Sequence, residues 1–82
     1  MIQLQYFARY REALGLDSEA LPWSPALASL DDLRRLLLAR GGVWNVLDEQ
    51  NLMCARNQEL CSLATELQDG DEVAFFPTVT GG

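Results

Sequence analysis

The chain has 82 residues, 49% hydrophobic and 22% charged, with a formal net charge of −6. That bounds it to one compact domain and argues against nucleic acid and anionic membrane as partners. All six cations are arginine, and histidine and lysine are both absent, which excludes imidazole general bases, Ser-His-Asp triads, Schiff bases and P-loop lysines.

A protein partner with a basic surface or tunnel is the expectation from the charge, and the chain is a poor candidate for an enzyme on its own. No apolar run approaches the roughly 20 residues of a membrane span, and no leader pattern opens the chain, so a soluble cytoplasmic domain is expected.

Residues 2–8 alternate, with Ile2, Leu4 and Tyr6 on one face and Gln3, Gln5 and Phe7 on the other, which predicts a half-buried strand. Ala8 to Leu14 reads as a short helix stopped by Gly15. A second short strand is expected within Ser18–Trp23, limited by Pro22 and Pro25, making a hairpin-like unit with the first. The clearest element is a helix over Leu30–Arg40. Ser29 is its N-cap in a variant capping box with Asp32, and Leu30, Leu33, Leu36 and Leu37 form its apolar stripe. Gly41-Gly42 ends it, and Val43, Trp44, Val46 and Leu47 predict a brief second turn over one end of the core.

Strands are then expected near Leu52–Arg56 and Glu59–Leu63, joined by an Asn57-Gln58 turn. Asp69-Gly70 supplies another turn before a last strand, Glu72–Phe76, which Pro77 ends because it has no N–H to pair. This order fits an α+β, β-grasp (ubiquitin-like) fold: a mixed sheet of four to five strands, one main helix across one face, and the first and last strands parallel neighbours. Residues 1–76 would form the domain and residues 77–82 an extended tail.

The acidic pairs Asp31-Asp32, Asp48-Glu49 and Asp71-Glu72 are better explained by caps and turns than as acid–base dyads. Cys54 and Cys61 lack C-x-x-C spacing and cannot alone complete a zinc site, so no metal is assigned and core thiols are expected. The most informative stretch is the end. After strand and proline come Val79, Thr80, Gly81 and Gly82, a thread without side chains at its tip that can enter a channel too narrow for any other residue. Its reactive group would be the glycine α-carboxylate.

The run Asp69-Gly70-Asp71-Glu72-Val73-Ala74-Phe75-Phe76-Pro77, followed by Val79-Thr80-Gly81-Gly82, resembles the C-terminus of the sulfur-carrying small subunits of molybdopterin synthase. Phe7-Ala8, Arg11-Glu12, Leu14-Gly15 and Asn57 are similar to that family as well, while Ser18–Asn51 matches by pattern more than by residue. The family often doubles the proline after the last strand. Pro77-Thr78 departs from that and is expected to loosen the tail slightly.

The resemblance implies that this chain binds no cofactor itself. A partner, an adenylating (E1-like) activating enzyme, would use ATP on the Gly82 carboxylate, and sulfur would then replace AMP to leave a thiocarboxylate. The tail would enter the large catalytic subunit and give its sulfur to cyclic pyranopterin monophosphate, in an assembly of two small and two large subunits. The chemistry is coherent. An α-carboxylate titrates near ~3.5 and resists attack as an anion at neutral pH, so it must first become a mixed anhydride. Six extended residues from Pro77 to Gly82 reach roughly 20 Å.

Strand alternation further expects Phe7 and Phe76 to emerge together beside the tail, with Leu60 and Pro77 in the same partner-binding patch. Carriers for thiamine thiazole synthesis, tRNA thiolation or cysteine formation share the diglycine, and a ubiquitin-like modifier or an inert interaction domain are the further alternatives. The Phe75-Phe76-Pro77 lead-in looks more like the molybdenum-cofactor branch.

Overall fold

The computed structural model describes residues 1–78; the expectations for Val79, Thr80, Gly81 and Gly82 lie outside the described residues. In chain order the elements are β1 (Ile2–Tyr6), α1 (Ala8–Leu14), β2 (Ser18–Leu21), α2 (Leu30–Leu38), a 3₁₀ turn (Gly42–Leu47), β3 (Met53–Arg56), β4 (Glu59–Cys61) and β5 (Glu72–Phe76). Among the described residues the five strands make one mixed sheet in the order β2-β1-β5-β3-β4. First and last strands pair in parallel at its centre, Leu4 opposite Val73 and Tyr6 opposite Phe75, and every other neighbour is antiparallel. This is the β-grasp arrangement.

Period-two alternation divides the sheet into a packed face and an open one. Ile2, Leu4, Tyr6, Val73 and Phe75 are buried, and they meet Leu30, Leu33 and Leu37 of α2 together with Leu47 and Leu67. Leu36, expected in the helix stripe, is instead 46% exposed. At about 100° per residue it sits roughly 90° round the helix from the centre of the Leu30–Leu33–Leu37 line, beyond the contact with the sheet.

The N-terminus of α2 is held by a full capping box: Asp32 N–H donates to Ser29 Oγ at 3.2 Å, and Ser29 N–H donates to an Asp32 carboxylate oxygen at 3.2 Å. Backbone bonds from Leu30 to the Thr65 carbonyl and from Asp31 to the Leu63 carbonyl stitch that end to the chain ahead of β5. The helix stops at Leu38 rather than Arg40, because the last carbonyls turn to bonds from Arg40 and Gly41 that span three residues. Arg40 leaves the helix line. Its guanidinium lies over the Trp44 ring at 4.4 Å and donates to Glu19 at 2.8 Å, and Glu19 also accepts from the Tyr6 hydroxyl at 2.7 Å. Burial, then the Glu19 bond and charge, raise the Tyr6 pKa well above the ordinary phenol range, so this hydroxyl stays a donor at any physiological pH.

The β3–β4 turn works as the Asn57-Gln58 dipeptide predicts, with both residues at positive φ, 52° and 69°, the pairing that suits a tight hairpin. Asn57 does more than turn. Its side-chain amide donates to Asp71 Oδ1 at 3.1 Å while its carbonyl oxygen accepts from Glu72 N–H at 3.0 Å, and its own N–H donates to the Glu72 carbonyl at 2.8 Å. Asp71, only 8% exposed, accepts also from Gln68 N–H at 2.8 Å. The hairpin tip and the start of β5 are thus clamped by one side chain.

The clamp makes two predictions of opposite sign. Asn57→Ala keeps positive φ but loses the amide that suits it there and removes the bonds to Glu72 N–H and Asp71 Oδ1, so it should cost about 1–3 kcal/mol. Gln58→Gly relieves a left-handed residue that makes no such bond and should gain about 0.5–1 kcal/mol. Urea denaturation midpoints at constant slope measure both.

Candidate functional site

The open face of the sheet is read most directly as rows of paired residues. Gln5 lies opposite Ala74, Ala74 opposite Ala55, and Ala55 opposite Leu60, so one row crosses β1, β5, β3 and β4. Two alanines at its centre leave a dent between larger flanking side chains. It is a groove of about 280 Å³ lined by this row together with Phe7, Phe76, Gln58 and Glu72.

At the end where β5 runs out, Phe7 and Phe76 meet edge to face, ring centroids 6.5 Å apart at 77°, a geometry aromatic quadrupoles favour. Phe7 is 43% exposed and Leu60 68% exposed. These are large apolar side chains that folding leaves in water, collected at one site. The parallel pairing of β1 and β5 is what brings Phe7 and Phe76 together, and the hairpin brings Leu60 to the far side of the groove.

Pro77 belongs elsewhere. The sequence reading placed it with the docking residues, but it is buried and offers no exposed ring to a partner. Its burial continues the inward parity of Val73 and Phe75 one step beyond β5. Thr78 then donates its hydroxyl to the Asn51 carbonyl. Where a second proline would stiffen the root of the tail by its ring, this chain has a side-chain hydrogen bond to the segment before β3. The expectation that Pro77-Thr78 loosens the tail concerns residues outside the described ones.

Sequence reasoning had Phe7, Phe76 and Leu60 and missed Ala55, Ala74, Gln58 and the Thr78 tether. Ala74 stood at the right parity on β5, but an alanine signals nothing until its neighbour across the strand is known, and that neighbour is another alanine, Ala55. Of the acidic residues, Asp32 caps α2 and Asp71 holds the turn before β5, as expected, whereas Asp31 pairs with Arg35 at 3.1 Å and Asp48 with Arg34 at 3.4 Å. Glu49 binds Arg9 through both carboxylate oxygens, which holds its pKa below the ordinary carboxylate range. Arg11 reaches Asp17 at 3.8 Å. Among the described residues no group of three or more His, Cys, Asp or Glu could hold a metal, and no helix is long and apolar enough to cross a membrane.

Comparison with known proteins follows the same lines. The sequence profile of the ThiS family matches residues 4–82. A protein of Escherichia coli K12 named molybdopterin synthase sulfur carrier subunit is 40% identical over 83 residues, covering all of both chains. One of the same name from Haemophilus influenzae is 37% identical with the same coverage. Among solved structures, a chain of the complex of subunits 1 and 2 of the Helicobacter pylori molybdopterin-converting factor superposes with a TM-score of 0.66 at 23% identity. That match covers 99% of this chain and 97% of the other, and shows a shared fold.

The two faces of the sheet should respond differently to substitution. Leu60→Ser, on the open face, should leave stability within about 0.5 kcal/mol of the parent. Phe75→Ala, on the packed face of the same sheet, should cost about 3–5 kcal/mol. Urea midpoints compare them directly.

Proposed function

The chain belongs to the ThiS family, and from that premise we propose that it is the sulfur-carrying small subunit of a molybdopterin synthase, with the Gly82 carboxylate as its reacting group. The observation that carries the reading is the apolar patch of Phe7, Phe76 and Leu60 beside the strand that leads, through Pro77 and the tethered Thr78, to Val-Thr-Gly-Gly. The family profile is common to sulfur carriers of several pathways; the two full-length relatives named for molybdopterin synthase favour this one.

In this reading the patch docks on the large catalytic subunit and Val79, Thr80, Gly81 and Gly82 enter its active site. The Helicobacter pylori complex of subunits 1 and 2 supports a large subunit as the partner. Phe7, Phe76 and Leu60 form the contact, and Gln5, Gln58 and Glu72 its polar rim, the usual distribution of an interface. Buried Pro77 acts from underneath, ending β5 and aiming the tail.

Activation comes first. A carboxylate oxygen of Gly82 attacks the α-phosphorus of ATP on a separate activating enzyme, pyrophosphate leaves, and the carbonyl becomes an acyl adenylate. A sulfur nucleophile then displaces AMP, leaving the thiocarboxylate. Glycine leaves that carbonyl open on both sides. Tethering makes delivery of the sulfur to cyclic pyranopterin monophosphate an effectively unimolecular step. The chain contributes reach, orientation and the carrier atom, while nucleotide site and catalytic groups belong to its partners in the cytoplasm. The assembly inferred is a heterotetramer of two small and two large subunits.

Intact mass tests the carrier role. Incubation with the activating enzyme, ATP and a sulfur donor should raise the mass by about 16 Da as sulfur replaces oxygen, and a chain extended by one residue beyond Gly82 should not shift. An unchanged mass, where a known carrier is charged in the same mixture, refutes the role.

The docking surface is tested separately. Phe7→Asp and Phe76→Asp should each weaken binding of the large subunit by at least about tenfold, near 1.4 kcal/mol, with folding intact by circular dichroism. Undiminished binding by both would remove the patch from the interface.

A further inference from the structure

The core-facing rows of the sheet end in a pair of thiols. Tyr6 lies opposite Phe75, Phe75 opposite Cys54, and Cys54 opposite Cys61. The two-residue turn dictates that last pairing. With Arg56 and Glu59 closing it, Cys54 and Cys61 fall two steps back, in register and on the same side. Their sulfurs are 3.9 Å apart, and Cys54 Sγ also lies 3.3 Å from the Cys61 carbonyl oxygen. Both are free thiols. Cys54 is 2% exposed, whereas Cys61 is half-buried on the edge strand β4. Neither takes part in the sulfur-carrier reading, because they face the core while the groove and its aromatic pair lie on the opposite side of the sheet.

We propose that Cys54 and Cys61 are an oxidation site, a cross-strand dithiol that a peroxide-class oxidant reaching the β4 edge converts to an intrachain disulfide between β3 and β4. Directly opposed residues in an antiparallel pair have Cα atoms about 4.5–5.5 Å apart, inside the range a disulfide spans. Closing the sulfurs to about 2 Å therefore asks for side-chain rotation and a small shift of the edge strand, not for unfolding.

The chemistry divides by exposure. Burial, with added contributions from the Cys61 charge and hydrogen bond, pushes the Cys54 thiol up to about 12, so Cys54 is a poor first nucleophile. Half-buried Cys61 meets the oxidant. Its thiolate attacks one peroxide oxygen, the O–O bond breaks, hydroxide leaves, and Cys61 becomes a sulfenic acid. Cys54 sulfur then attacks Cys61 sulfur, the S–O bond breaks, and the departing hydroxide takes the Cys54 proton away as water. The two thiols lose two electrons and the peroxide gains them. Residues 54 and 61 become a covalent clasp across the hairpin, and β4, which presents Leu60 to the groove, is held by bond as well as by ladder.

Reduced, folded protein treated with hydrogen peroxide in native buffer tests this, read by intact mass without reductant and by alkylation of remaining thiols. The expected product is a monomer lighter by about 2 Da with no alkylatable cysteine, its far-ultraviolet dichroism unchanged and its thiols restored by dithiothreitol. Cys61→Ser should keep one alkylatable thiol throughout. Cys54→Ala, lacking the resolving sulfur, should proceed at Cys61 to the sulfinic acid, heavier by about 32 Da.

Any of four results overturns the proposal: sulfinic acid at Cys61 of the parent chain with Cys54 still alkylatable; a disulfide-linked dimer as its main product; two free thiols under a dose that oxidises a small dithiol in the same tube; or a disulfide that forms only after urea unfolds the chain. The readout needs neither activating enzyme nor large subunit, so it stands or falls apart from the carrier role.

Discussion

The parallel pairing of β1 with β5 is the constraint on which the rest of this molecule depends. It joins the two ends of the chain at the centre of the sheet, Leu4 against Val73 and Tyr6 against Phe75, and both strands are buried on one face beneath α2. Parallel neighbours cannot be joined by a tight turn, so everything between residues 7 and 71 is the crossover that lets them meet. The central ladder is buried against water by the helix and flanked on both sides by antiparallel partners, so β1 and β5 are the strands least able to fray.

The same pairing sets the chemistry of the open face. Because β1 and β5 run the same way, the residues just past Tyr6 and at the end of β5 arrive at one edge, and Phe7 and Phe76 are in contact there. An antiparallel arrangement would have put them at opposite ends. Pro77 and Thr78 therefore follow directly on an aromatic pair rather than on bare polar surface. In the proposed reading a docked partner would meet the patch and the last residues of the chain together, as a tethered carrier requires.

Polar side chains secure the edges of this arrangement, each by satisfying backbone that the topology leaves open. Asn57 clamps the hairpin to the first residues of β5. Arg34 donates to the Leu47 carbonyl at 2.7 Å, closing the end of the 3₁₀ turn from α2. Arg40, Glu19 and Tyr6 link the helix end to β1 and β2, under the cover of Trp44. The arginines are thus largely engaged in holding the fold. With the acidic groups in excess, the remaining surface is one that a basic partner would attract.

Much of this was legible from local pattern, because local rules act over a few residues. Alternation in β1 and β5, the Ser29 cap, the positive-φ pair Asn57-Gln58 and the breaks at Gly15 and Pro77 each state their structure through sterics or hydrogen bonds of near neighbours. The family's run from Asp69 to Pro77, with the diglycine, pointed to the chemistry of the end group. What waited for the folded chain were relations between residues far apart in sequence. Leu36 turned outward because the sheet subtends only part of the helix. Pro77 went inward because it keeps the alternation of Val73 and Phe75 one residue beyond the last strand. The groove exists because Ala74 and Ala55, unremarkable separately, are partners across a ladder, and the two thiols stand together because a two-residue turn sets their register. Those outcomes depend on which strands lie side by side, and long-range pairing is a property of the whole chain's burial rather than of any window within it.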